Sequence, residues 1–315
     1  MDCLKVAAAQ LAPIWGDRVK TTEKIVTAIS EAASNGASLV AFGEGLLPGY
    51  PFWLSDTHAS KFEDQAQKEI HSHYMDQAVS ITRGDLHPIQ AVCAEKSIAC
   101  YLGLIERAED RGFHSLYCTL AYIDQEGHLQ STQRKLMPTY EERLAWSIGD
   151  GNGLKVHDIG AFKVGGLNCW ENWMPLARAS LYAQGESLHI ASWPGGSHNT
   201  KDLTPVIAKE GRSFVLSVSG VMRPSDYPKT TPHYDLLTKT SKAIMANGGS
   251  CIAAPNGHWL VAPIGSDEEI IYADIDAGLV RQERQNFDSS GHYSRPDVFE
   301  LKVNRKRQTI TTFED

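Results

Sequence analysis

The sequence predicts an α/β layered domain, from three observations. The chain opens strand–helix–strand, apolar runs alternate with amphipathic stretches down its length, and no low-complexity linker divides it. Residues 4–11 form an Ala- and Val-rich run that reads as a buried strand. Residues 17–35 place Ile25, Ile29, Ala32 and Ala33 at helical spacing and stop at Asn35-Gly36. Residues 38–42 give a second buried strand. The polar stretch 58–83 is predicted helical, and 88–96 supplies a further helix before a strand at 98–106. Residues 115–124 and 128–136 flank Gln125-Glu126-Gly127, a hairpin turn. A second hairpin pairs 154–159 with 162–167 around Gly160, and a helix follows from about 174 to 184. Strands are predicted at 187–191, 213–219, 251–254, 259–262 and 269–274, with helices at 200–211 and 277–286. One α/β domain therefore spans 1–287. Residues 288–315, of mixed polarity, form an appended tail expected to meet a neighbouring subunit.

At 315 residues and 42% hydrophobic, the chain can bury a sizeable core. Thirty basic residues against 38 acidic give a net charge of −8, and Arg305, Lys306 and Arg307 are the one basic run. That argues against nucleic acid as the main partner. The start lacks a charged segment followed by a long apolar one, and no apolar run reaches membrane-spanning length. Six scattered cysteines without a CxxC pair, and the lack of an Asn-x-Ser/Thr site, fit a reducing compartment. The expectation is a cytoplasmic protein with no membrane partner. Twelve histidines include no HExxH, and His71 and His73, two apart on a helix, point away from each other. No metal is expected, and these histidines read as solvated surface.

Three residues could carry chemistry. Cys169 follows the apolar stretch 162–167 and precedes a helix, a turn that places a thiol near backbone N–H groups and a helix N-terminus, both of which favour thiolate. A buried cysteine acting as a small hydrophobe is the plainer reading of such a position. Glu44 closes the second strand among apolar, Gly and Pro residues, where desolvation raises a carboxyl toward the range of a general base. Lys135 lies where a strand gives way to Met137-Pro138, and its ammonium could stabilise charge developing on a reacting carbonyl or nitrile. Glu142, seven residues on, could orient it. All three sit at the ends of separate predicted strands, as residues of one site in a layered α/β fold should.

The segments FGEGLLPGYP, RKLMPTYEER and LNCWENWMPLAR resemble the three catalytic signatures of the nitrilase family, in the chain order Glu, Lys, Cys. Ala191-Ser192-Trp193-Pro194 and the segment 291–297 are also similar to family segments. The resemblance implies a four-layer αββα sandwich in which Glu44, Lys135 and Cys169 form a triad with Glu142 as a fourth member. It implies hydrolysis of an organic nitrile to carboxylic acid and ammonia through a thioimidate and a thioester on Cys169. It further implies that no metal or organic cofactor is required and that the protein forms a homodimer or higher homo-oligomer. Gly149-Asp150-Gly151-Asn152-Gly153 lacks phosphate-loop spacing and reads as a plain loop.

Trp170, Trp173 and Trp193 lie close in sequence to the nucleophile or the next strand end, and Tyr50 and Trp53 follow Glu44. An aromatic pocket built from Trp170, Tyr50 and Trp193 fits a neutral nitrile; packing in the core or at a subunit interface is the competing role for such rings. Asn172, in Cys-Trp-Glu-Asn, is more similar to nitrilases acting on organic nitriles than to the cyanide-degrading branch. Two further readings stand beside nitrilase: an amidase or carbamoylase of the same superfamily, and a catalytically silent scaffold, against which the intact Glu44, Lys135 and Cys169 count.

Overall fold

The computed structural model describes residues 2–312 and 314. Met1, at the start of the chain, and Phe313 and Asp315, in the predicted tail, lie outside them. Strand β1 (Cys3–Gln10) leads into helix α1 (Arg18–Ser34), whose first turn is capped by Asp17 accepting from Lys20 N, and β2 (Leu39–Phe42) follows. Next come α2 (Trp53–Asp56), α3 (Gln65–Gln77), α4 (His87–Lys96) and β3 (Ala99–Ala108). The hairpin β4 (Ser115–Ile123) and β5 (Leu129–Arg134) completes the first half. The second half runs β6 (His157–Ile159), β7 (Phe162–Asn168), α5 (Pro175–Tyr182), β8 (Leu188–Trp193), α6 (Ser197–Gly211) and β9 (Phe214–Ser219). Then β10 (Val221–Met222), α7 (Tyr234–Thr238), β11 (Ala246–Asn247), β12 (Cys251–Ala253), β13 (Trp259–Val261), β14 (Glu269–Asp276) and α8 (Ala277–Glu283) close the sequence of elements.

Two six-stranded mixed sheets result, ordered β14-β1-β2-β3-β4-β5 and β13-β12-β9-β8-β7-β6. Strand alternation sorts their side chains into layers. Val6, Ala8, Leu39 and Ala41 face Val164, Ile190, Leu216 and Ile252 between the sheets. On the outer face of the first sheet, Ala7, Ala9, Val40 and Phe42 pack with Ile25 and Ile29 of α1 and Ile89 of α4. On the outer face of the second, Ala191, Val215 and Ala253 pack with Leu203 and Ile207 of α6. The layers read αββα, as the family resemblance implies.

The polar stretch 58–83 departs from its predicted helix. Only α3 is helical there, because Asp64 caps its start and Ala78 turns extended. Val79 then donates to Ile105 O at 2.7 Å and accepts from Arg107 N at 2.8 Å, which draws the backbone onto β3. Nor are His71 and His73 solvated: both are half-buried, with the His73 ring 6.4 Å from that of Trp15. The one-turn helices α2 and α7 and the two-residue pair β10–β11 are too short for periodicity to reveal. After α8 the chain runs without regular elements among the described residues, and residues 305–308 return to the 149–153 loop. There Arg307 Nη1 meets Asp150 Oδ1 at 3.0 Å, Gln308 N donates to Asp150 Oδ2 at 2.9 Å, and Asn152 Nδ2 donates to Arg305 O at 3.0 Å.

Candidate active site

Strands β2, β5 and β7 end at one place, and their next residues but one or next residues are Glu44, Lys135 and Cys169. Glu44 is held across the sheets: its N–H donates to Trp193 O at 3.0 Å, and Ser192 Oγ donates to Phe42 O at 3.1 Å. Gly43 permits this approach, since a Cβ there would lie 2.9 Å from both Gly220 N and Trp193 O. Lys135 is anchored by its N–H to Cys118 O at 2.7 Å.

The Lys135 ammonium lies between two carboxylates, 2.8 Å from Glu44 Oε1 and 2.7 Å from Glu142 Oε2, with all three side chains buried. Trp146 stands beside it, its ring centroid 5.5 Å from Nζ. Glu142 is fixed further by Thr139 N at 2.6 Å and by the Tyr50 hydroxyl, which donates to Oε1 at 2.5 Å. Cys118 Sγ donates to Glu44 Oε1 at 3.3 Å. Glu44 Oε2 is buried without a partner among the described residues, so one oxygen of this carboxylate is free to take a proton. Beside Glu44 lies a cavity of about 10 Å³ lined also by Tyr50, Phe52 and Pro194, room for about one water. A larger cleft of about 440 Å³, lined by His58, Tyr140, Arg143 and Leu144, touches none of Glu44, Lys135, Glu142 or Cys169.

Cys169 Sγ and oxygens of Glu44 and Glu142 lie within 4.8 Å of one another, a spacing that could hold a cation. The Lys135 ammonium is the cation bonded to both carboxylates. Cys169 itself opens a short 3₁₀ turn, Cys169–Trp173, with φ 47°, a left-handed conformation that costs an L-residue about 1–2 kcal/mol. Glu171 ties this turn to the lysine strand: its Oε2 accepts from Asn168 N at 2.8 Å, and its Oε1 accepts from Leu136 N at 2.6 Å and Gln133 Nε2 at 3.2 Å.

Charge states follow from this burial. Desolvation, opposed by Lys135 and reinforced by Glu142, pushes the Glu44 carboxyl up to about 7, as the apolar surroundings of its strand end lead one to expect. Lys135 loses to burial but gains more from Glu44, Cys169 and Glu142, which hold it protonated. The expected thiolate preference of Cys169 is overturned. Burial, followed by the Glu44 carboxylate, pushes its thiol well up; Lys135 and the Trp170 N–H oppose this and do not prevail. The long helix begins only at Pro175, so the dipole invoked from sequence is not delivered at Sγ. The thiol therefore stays protonated, and the neighbouring Glu44 carboxyl passes to carboxylate as pH rises through about 7.

Of the proposed aromatic pocket, Tyr50 reaches the site through its hydroxyl. Trp170 is 53% exposed and Trp173 47%, whereas Trp193 is fully buried in the cluster beneath α6, and Trp53 packs at 5.4 Å on Trp15. Core packing therefore claims Trp193 and Trp53, and Trp193 serves the site through its backbone carbonyl. Sequence reasoning missed Cys118, Trp146 and Glu171. Only Glu171 carried a signal, as the third residue after Asn168 in a capping box.

A family model described as carbon-nitrogen hydrolase matches residues 5–285. An aliphatic nitrilase of Rhodococcus rhodochrous is 35% identical over 97% of this chain and 84% of its own length. Nitrilase 1 of Arabidopsis thaliana is 34% identical over 98% of this chain and 89% of its own. Among solved structures, a carbon-nitrogen hydrolase from Helicobacter pylori G27 superposes with a TM-score of 0.69 at 18% identity, covering 94% of this chain and 96% of that one. An amidase from Nesterenkonia sp. AN1 gives 0.66 at 16% identity, over 90% of this chain and 97% of that one.

Proposed function

The chain belongs to the carbon-nitrogen hydrolase family, in its nitrilase branch, and from that premise we propose that Cys169, Glu44 and Lys135 hydrolyse an organic nitrile to a carboxylic acid and ammonia. The observation that carries this reading is the buried Lys135 ammonium held by Glu44 and Glu142 beside the Cys169 thiol.

Glu44 Oε2, without a partner of its own, accepts the Sγ proton as sulfur adds to the nitrile carbon. Glu44 hands that proton on to the nitrile nitrogen, giving a thioimidate, while Lys135 and the Trp170 N–H face the developing negative charge. Glu44, ionised again, takes a proton from water as its oxygen attacks and passes it to the nitrogen; the tetrahedral species then collapses to a thioester, its hydroxyl proton leaving with the nitrogen as ammonia. A second water releases the acid and restores the thiol. One nitrile and two waters become one acid and one ammonia, and no group beyond these side chains enters the balance. Glu142 fixes the ammonium, and we read Tyr50, bonded to Glu142, and the exposed Trp170 as substrate contacts.

The same four residues suit an amide substrate, and the amidase likeness extends to the fold alone. The nitrilase relatives, similar over nearly the whole chain, support the nitrile. A panel of nitriles and amides scored for ammonia and acid separates the two: acid and ammonia from nitriles support the reading, and turnover of amides alone overturns it. We also read the protein as a cytoplasmic homo-oligomer. Six unpaired cysteines support the reducing compartment. Exposed Trp170, Trp173 and Leu176, and Tyr293 and Phe299 in the tail, support contact between copies.

A further inference from the structure

Beneath the nucleophile lies a chain of buried polar groups that the chemistry above does not use. Asn172, three residues after Cys169, donates from Nδ2 to Cys169 O at 2.8 Å and to Leu167 O at 3.2 Å. With both amide hydrogens so placed, its Oδ1 is an acceptor, and it faces His189 Nε2 at 2.7 Å. Nε2 therefore carries a hydrogen. On the other side of the ring, Nδ1 meets Glu186 Oε1 at 2.9 Å, a contact that requires one more proton, on the ring or on the carboxyl. Asn172, His189 and Glu186 are each 0% exposed. Glu186 is confined by Gly165, where a Cβ would lie 2.3 Å from Oε1. Arg178, paired with Glu210 at 2.8 Å, donates to Asn172 O at 2.5 Å and fixes its backbone.

We propose that His189 and Glu186 are positioning residues for the nucleophile, acting through Asn172. A hydrogen on Nε2 permits only one orientation of the Asn172 amide, the one that bridges the carbonyls on either side of the left-handed turn at Cys169. If Nε2 instead offered a lone pair, the amide would have to rotate. Its oxygen would then face the carbonyls of Leu167 and Cys169, and the turn would lose both hydrogen bonds. The shared proton of Glu186 and His189 keeps Nε2 a donor, and so keeps Sγ directed at the substrate carbon. This inference rests on the reading of Cys169 as nucleophile.

The test compares His189→Leu, His189→Gln, Glu186→Gln and Cys169→Ala in nitrile turnover, with kcat referred to the folded fraction, and in the rate at which iodoacetamide alkylates Cys169. His189→Leu removes the donor and should lower kcat about 100-fold with KM nearly unchanged, the size of effect a displaced reacting atom gives; alkylation should slow in parallel. His189→Gln keeps a donor toward Asn172, and Glu186→Gln can donate to Nδ1 and leave Nε2 protonated; both should stay within about tenfold of the wild type. Wild-type kcat in His189→Leu, or a loss in His189→Gln as deep as in His189→Leu, overturns the proposal. If His189→Leu does not fold, ¹⁵N NMR of the wild type decides: Nε2 must be protonated wherever the enzyme is active, and a lone-pair Nε2 overturns the proposal. Activity retained in Cys169→Ala is a different failure, that of the nucleophile reading.

Discussion

Glu44 faces opposite demands at the scale of the residue. Its carboxyl, pushed up to about 7 by burial, is bound more tightly to its proton in the folded chain than in the unfolded one. The stability this lends is present below the ordinary carboxylate value and is lost as pH rises through about 7. Catalysis needs the ionised form, so kcat/KM should rise with pH through about 7, and a flat profile there would contradict Glu44 as base. Glu44→Gln should abolish nitrile turnover while matching or exceeding the wild-type Tm at pH above 7, a margin that shrinks as pH falls. Circular-dichroism melts at two pH values check both the sign and its pH dependence. The upward shift of the Glu44 carboxyl was legible in the sequence because a carboxylate among Phe42, Gly43, Leu46 and Leu47 has little but apolar and Gly/Pro neighbours. The protonation state of Cys169 was not. A strand-to-helix turn reads as a thiolate site from sequence, and only the structure shows burial and Glu44 outweighing the nearby N–H.

At the scale of the element, the nucleophile turn and the lysine strand are one unit joined by Glu171, which accepts from Asn168 N, Leu136 N and Gln133 Nε2. A glutamine offers one acceptor oxygen where this site needs two. Glu171→Gln should therefore leave a buried N–H without a partner and cost about 1–3 kcal/mol, read as a lower urea midpoint at unchanged slope. An unchanged midpoint would show that the two segments hold together without it. Most elements were legible because their period is clear: β1, α1, β2 and the β4–β5 hairpin fall within a residue or two of the predicted ranges. Residues 58–83 were not, because polar composition alone does not reveal that Val79 joins the edge of β3.

Across the whole molecule, the site exists only because two sheets deliver their strand ends to the same place. Periodicity identifies strands but not their neighbours, and it cannot say that β2 and β5 belong to one sheet and β7 to the other. The four layers came from the resemblance carried by the three motifs. The tail also shows its placement only in three dimensions: Arg307 and Gln308 hold Asp150, in the loop whose Gly149 N donates to Lys135 O at 2.9 Å. Arg307→Ala should cost about 1–3 kcal/mol, as expected for hydrogen bonds to a largely buried charge, and an Asp150→Asn partner variant in a double-mutant cycle should recover the coupling. Additive effects would mean that the tail rests on the loop without supporting it.

The central claim, covalent attack of Cys169 on a nitrile carbon, is tested most directly by rapid-quench mass spectrometry with a slowly processed nitrile. The account predicts a transient adduct on the peptide containing Cys169, absent in Cys169→Ala, which should also release no ammonia. An adduct on any other residue, or ammonia released by Cys169→Ala at the wild-type rate, would contradict it.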